Sequence, residues 1–109
     1  MAIQPSPARE RVRRTVPKMI ELSETVIYGD IWERPGLSKR DRSLAVVATL
    51  IATYRPEQLR GHLERALDNG VTKSEIAEII THLAFYSGWP ASMTAARIAT
   101  EVFEERGLK

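Results

Sequence analysis

The chain has 109 residues, 43% of them hydrophobic and 28% charged, with a net charge of +2, which suits one globular domain (residues 1–109) and argues against a disordered chain. The absence of cysteine excludes disulfides, cysteine–zinc sites and any thiol nucleophile or redox pair. No apolar run reaches the roughly 18–20 residues that cross a bilayer, and Met1–Ala8 lacks a signal-peptide core, so the expectation is a cytoplasmic protein with no membrane partner.

Hydrophobic periodicity is helical almost throughout and predicts an all-α fold of about five helices. Residues 1–15 form a basic arm: Arg9, Arg11, Arg13 and Arg14, with Lys18 just beyond, crowd this end, whereas Glu101, Glu104 and Glu105 crowd the other. Such an arm can suggest nucleic acid, but without interleaved aromatics it reads as a solvated face. A first helix is expected from Pro7 or Pro17 to Tyr28, where Met19, Ile20, Leu22, Val26 and Ile27 make a broad apolar stripe and Gly29 stops it. The connector Gly29–Leu37 holds two Gly, a Pro and Trp32, whose ring must cover the core or line a site.

Ser38 and Asp41 resemble a capping box ahead of a helix from Lys39 to Tyr54, which is apolar all round and therefore expected to be the central buried helix. Pro56 starts an amphipathic helix carrying Leu59, Leu63, Ala66 and Leu67 and ending at Asn69-Gly70. Thr72 and Glu75 then form a capping box, with Val71 stapling to Ile76, ahead of a helix whose core face is Ile76, Ile79, Ile80, Leu83 and Ala84. Tyr86-Ser87-Gly88-Trp89-Pro90 breaks that helix and opens an alanine-rich last one closed by Arg106-Gly107; its small residues predict tight packing or a subunit interface.

Several segments, in one colinear order, resemble the carboxymuconolactone decarboxylase family. These are Gly29-Asp30-Ile31-Trp32-x-Arg34-Pro35-Gly36-Leu37, Arg42-Ser43-Leu44, Glu57-x-Leu59-x-x-His62-Leu63, Asn69-Gly70-Val71-Thr72-x-x-Glu75-Ile76, and Tyr86-x-Gly88-x-Pro90-Ala91. The resemblance implies an alkylhydroperoxidase D-like helical bundle of five to six helices, assembled as a trimer or hexamer. The family's redox branch carries Cys-x-x-Cys followed four residues later by His. With that His placed on His62, the cysteine positions fall on Arg55 and Gln58, so thiol peroxidase chemistry is excluded. The other branch decarboxylates 4-carboxymuconolactone to an enol-lactone without metal or organic cofactor, and the expectation is a cofactor-independent carboxy-lyase acting on a small carboxylated lactone in aromatic-acid breakdown.

Such a reaction needs a cation for the substrate carboxylates, a donor at the developing oxyanion and an acid that returns a proton to carbon. His62, on the face of Leu59 and Ala66, is the leading acid–base candidate, although a lone His on an apolar face is commonly a packed core residue. Glu57 stands five residues earlier as its relay or as a helix-start carboxylate, and Tyr86 is the candidate oxyanion donor. Arg34, Arg42 and Arg55 are candidate carboxylate binders, although any one arginine is more commonly a surface or interface ion-pair residue. Trp32 and Trp89 are candidate pocket walls, or turn packing, and His82 shares a helix face with Tyr86. Two histidines without an Asp or Glu at ligand spacing do not make a metal site. A homologue that binds or isomerises another small acid is the alternative. A helix-turn-helix reading of Thr72–Glu78 is weaker still, because Ala91–Val102 offers almost no cation but Arg97 and too few polar side chains to read bases, so no nucleic-acid partner is expected.

Overall fold

The computed structural model describes residues 6–108, which hold six α-helices and no strand. None of these helices is long and apolar enough to cross a membrane. The chain divides at Lys39 and Arg40 into two compact units.

In the first unit Ser6 caps helix α1 (Pro7–Arg13), its hydroxyl accepting from the Arg9 amide at 3.2 Å. Residues 1–5 of the basic arm lie outside the described residues. Arg13 is turned onto two carboxylates, Glu10 at 3.0 Å and Glu24 at 2.7 Å, which ties α1 to the segment that follows. Helix α2 (Pro17–Leu22) does not continue regularly to Tyr28 as the periodicity predicts: it widens into a π turn, Ser23–Ile27, closed by the Tyr28 amide donating to the Ser23 carbonyl at 3.0 Å. The chain then doubles back so tightly that a Cβ on Gly29 would lie 2.7 Å from the Glu24 carbonyl oxygen and 2.8 Å from that of Thr25, which explains the glycine. The expected apolar stripe is only partly used. Ile20 is buried, but Met19, Leu22, Val26 and Ile27 remain exposed. A short 3₁₀ turn (Ile31–Glu33) then buries Trp32 beside Tyr28.

The second unit contains the main core. Helix α3 (Lys39–Ala52) is not buried all round; only Ser43, Val47 and Ile51, four residues apart, are buried, while Ala45, Thr49 and Ala52 are exposed. Its apolar residues outnumber the positions that this chain covers. After Tyr54, held at φ 53°, helix α4 (Pro56–Asp68) sends Leu59, Leu63 and Ala66 inward. It ends in a Schellman motif: the Val71 amide donates to the Ala66 carbonyl at 2.9 Å and the Gly70 amide to Leu67 at 3.1 Å, with Gly70 at φ +100°. The predicted capping box of α5 (Lys73–Ala84) is present, with Thr72 and Glu75 bonded reciprocally at 2.9 and 3.1 Å.

Gly88, at φ +100°, turns the chain into α6 (Trp89–Glu105), with Pro90 in its first turn. Buried Ala95 and Ala99 leave room for close approach, and the buried Ser92 hydroxyl donates to the Ile80 carbonyl of α5 at 2.9 Å. Leu59, Leu63, Ile76, Ile80, Ile98 and Val102 fill the centre. Charged side chains close the rim: Arg60 of α4 pairs with Glu101 and Glu105 of α6, and Arg40 pairs with Glu75.

Candidate acid–base and anion site on helix α4

The local sequence of α4 decides what its surface can do. Pro56 at the first position makes Arg55 the N-cap, and a 3.6-residue repeat sends Leu59, Leu63 and Ala66 into the core. Alongside that buried face runs a polar stripe at the same spacing: Arg55, Gln58, His62, Arg65 and Asn69. Its C-terminal end is pinned, because the Asn69 side-chain amide donates to the buried Ser43 hydroxyl of α3 at 3.0 Å. His62 and Arg65 are both half-buried, whereas Arg55 and Gln58 are exposed.

Burial holds the His62 imidazolium below its ordinary range, and the positive charge of Arg65 one turn away adds to the effect. The resting side chain is therefore a neutral imidazole at pH 7. This has a consequence for stability. Below an unfolded-state pKa of about 6.5 the unfolded chain takes up a proton at this position that the folded chain refuses, so stability falls as the pH drops through 6.5 towards the lower folded value and then levels off. Four carboxylates, Glu10, Glu24, Glu75 and Glu101, are held below their usual range by arginine or cap hydrogen bonds, and their loss comes at more acidic pH, below about 4.5. Urea unfolding at pH 7.5 and 5.5 should show a decrease in stability for the natural protein that His62→Gln largely removes; equal decreases in both would refute the assignment.

The remaining candidates are distributed elsewhere. Glu57 is exposed and lies roughly 140° around α4 from His62. It lines a shallow recess of about 350 Å³ with Pro56, Arg60, Arg97 and Ile98, so the expected relay to His62 is not assembled. His82 and Tyr86 do meet, with ring centroids 4.9 Å apart, and Phe85 packs edge-on against Trp89 at 6.1 Å. All four are exposed at the α5–α6 turn, and no hydrogen bond or ring contact joins Tyr86 to His62. Trp89 also borders an apolar cavity of about 130 Å³ lined by Ile80, Ala84, Ser92 and Met93. In the first unit, Trp32 is only 5% exposed and stacked on Tyr28 at 6.2 Å, which makes it packing there, while Arg34 is exposed after the 3₁₀ turn; Arg42 is half-buried in the first turn of α3. Among the described residues no three His, Asp or Glu side chains gather as metal ligands.

Arg65, whose charge bears on His62, was not singled out from the sequence. The i, i+3 spacing of Arg65 from His62 was the available signal, obscured by many other arginines.

The model of the carboxymuconolactone decarboxylase family matches residues 17–101. The chain is 46% identical over 81 residues to the 4-carboxymuconolactone decarboxylase of Acinetobacter baylyi, covering 74% of this chain and 60% of that protein. It is 33% identical over 85 residues to the nitrosuccinic acid decarboxylase of Metarhizium robertsii, covering 78% and 59%. It is also 34% identical over 101 residues to an uncharacterized 15.0 kDa protein of Paracoccus denitrificans, covering 90% and 72%. The chain thus spans about three fifths of the length of the two named decarboxylases.

Proposed function

Since the chain belongs to the carboxymuconolactone decarboxylase family, we propose that it is a cofactor-independent carboxy-lyase acting on a small carboxylated lactone such as 4-carboxymuconolactone. The observation that carries this reading is the half-buried His62, set between Arg55 and Arg65 on one face of α4. The similarity to two proteins named as decarboxylases supports it.

In this reaction the bond between ring carbon and carboxylate breaks, carbon dioxide leaves, and the electron pair passes through the conjugated system to the lactone carbonyl oxygen. One proton then returns to carbon. Arg42 or Arg55, both in the same unit as His62, supplies bidentate carboxylate binding. His62 donates a hydrogen bond to the developing oxyanion and delivers the proton. An anionic substrate beside His62 offsets the charge of Arg65 and raises the affinity of the imidazole for a proton, so arrival of substrate prepares the acid. Tyr86, His82 and Trp89 stand apart from this stripe within the chain, and their roles at a substrate depend on a second copy bringing the α5–α6 turn to a neighbouring α4.

Self-association as a trimer or hexamer is part of the same reading. It is supported by the exposed Met19, Leu22, Val26 and Ile27 and by the exposed Phe85, Tyr86, Trp89 and Met93. The proposed setting is cytoplasmic breakdown of aromatic acids. The direct test is release of carbon dioxide from 4-carboxymuconolactone by the purified protein without added cofactor; a protein that leaves this lactone and related cyclic acids intact does not have the proposed function.

A further inference from the structure

The cavity of about 130 Å³ between α5 and α6 takes none of its walls from α4, the helix that carries His62. Ile80 and Ser92, both buried, form its floor, and the exposed Trp89 and Met93 form its rim. The space is left open by Ala84 on α5 and Ala96 on α6, whose side chains stop at Cβ. Among the described residues no charged side chain lines it. The two hydroxyls on its wall have already spent their protons: Thr81 donates to the Ala77 carbonyl at 2.8 Å and Ser92 to the Ile80 carbonyl at 2.9 Å. An anion entering here would give up water without gaining a cation or a hydroxyl proton. A neutral ring meets no such cost.

We propose that this cavity is a binding site for a small neutral aromatic molecule built on a single six-membered ring. Volume sets the size of the ligand. An apolar void of about 150 Å³ stays dry and accepts benzene, and this one is of the same order. The rim selects an aromatic over an aliphatic ring. The Trp89 indole offers a face or edge for ring packing, and the Met93 thioether makes favourable contacts with aromatic edges. Phe85, edge-on to Trp89 with ring centroids 6.1 Å apart, holds the indole at the rim. The site stands apart from the carboxy-lyase reading, because the substrates of that reaction are acids and this cavity disfavours them.

Fluorobenzene is the probe, followed by NMR, with 4-fluorobenzoate as its charged counterpart. Fluorobenzene should shift the Trp89 indole resonances saturably and show nuclear Overhauser contacts to the Met93 methyl group. The benzoate should bind roughly tenfold or more weakly, since its carboxylate finds no partner. Ala84→Leu and Ala96→Leu each fill the space, so each should abolish fluorobenzene binding while the melting temperature holds or rises. A variant that only disturbs the fold would lose melting temperature together with binding. Trp89→Leu should weaken binding several-fold. The site is overturned if fluorobenzene binds both leucine variants as it binds the natural protein, or if the benzoate binds as tightly as the neutral ring. Absence of the Met93 contacts in the natural protein overturns it without recourse to any substitution. Binding that appears only on dilution of the protein also overturns it, since a side chain of a second copy would then be the occupant.

Discussion

Replacing His62 by glutamine should lower the rate of carbon dioxide release by roughly a hundred- to ten-thousand-fold, the range over which a positioned acid or base contributes. Glutamine keeps a hydrogen-bond donor and comparable bulk, so the helix and its neighbours should persist and the circular dichroism spectrum should be unchanged. The variant cannot take up and return a proton near neutral pH, and that is the property removed. The loss should fall mainly on kcat, because the carboxylate contacts assigned to the arginines remain. A glutamine variant within threefold of the natural rate would show that the imidazole is a packed surface residue and that another group returns the proton.

The largest expected effect on stability lies one residue further along the same helix. Leu63 is completely buried and belongs to the central cluster, as are Ile76 and Val102. Leu63→Ala removes three buried carbons from a site without slack and should cost about 2–5 kcal/mol. For a domain of this size that lowers the melting temperature by roughly ten degrees or more, measured by thermal or urea denaturation. A change under 1 kcal/mol would mean that the core around α4 collapses easily into the space, contrary to its close packing. Adjacent residues of α4 thus separate the two properties: position 62 should decide turnover and position 63 folding.

Much of the helical layout is written in local chemistry. Pro17, Pro56 and Pro90 each stand in a first helical turn, Gly70 and Gly88 adopt the positive φ that their positions require, and Thr72 with Glu75 forms the expected capping box. These features depend on residues three or four apart. What periodicity could not supply is the fate of an apolar face. Helix α3 and the Met19–Ile27 segment both carry more hydrophobic positions than their own chain covers, so an all-apolar reading predicted burial where Ala45, Val26 and Ile27 are exposed. The π turn was equally hidden: Ser23–Ile27 carries no residue preference that announces it, and only Gly29, close against the Glu24 and Thr25 carbonyls, marks its end.

The site shows the same division. The half-buried place of His62 beside the core face of α4 was legible from its spacing to Leu59 and Ala66, whereas its pairing with Glu57 was inferred from nearness in sequence, and five residues on a helix point in different directions. Arg60 and Arg97 are committed to Glu101, a cross-helix arrangement in which only the Arg97–Glu101 spacing of four could be seen beforehand.

The contrast between the two indoles also provides a means of observation. Trp32 is 5% exposed and Trp89 is 60% exposed, so the protein carries one shielded and one open fluorophore. An aqueous quencher such as iodide should extinguish Trp89 emission selectively and leave the bluer Trp32 signal as an internal reference. Dilution from high to low concentration would then report, without any label, whether the aromatic corner at the α5–α6 turn is covered when chains meet. Emission that stays equally quenchable at every concentration would place the meeting surface elsewhere.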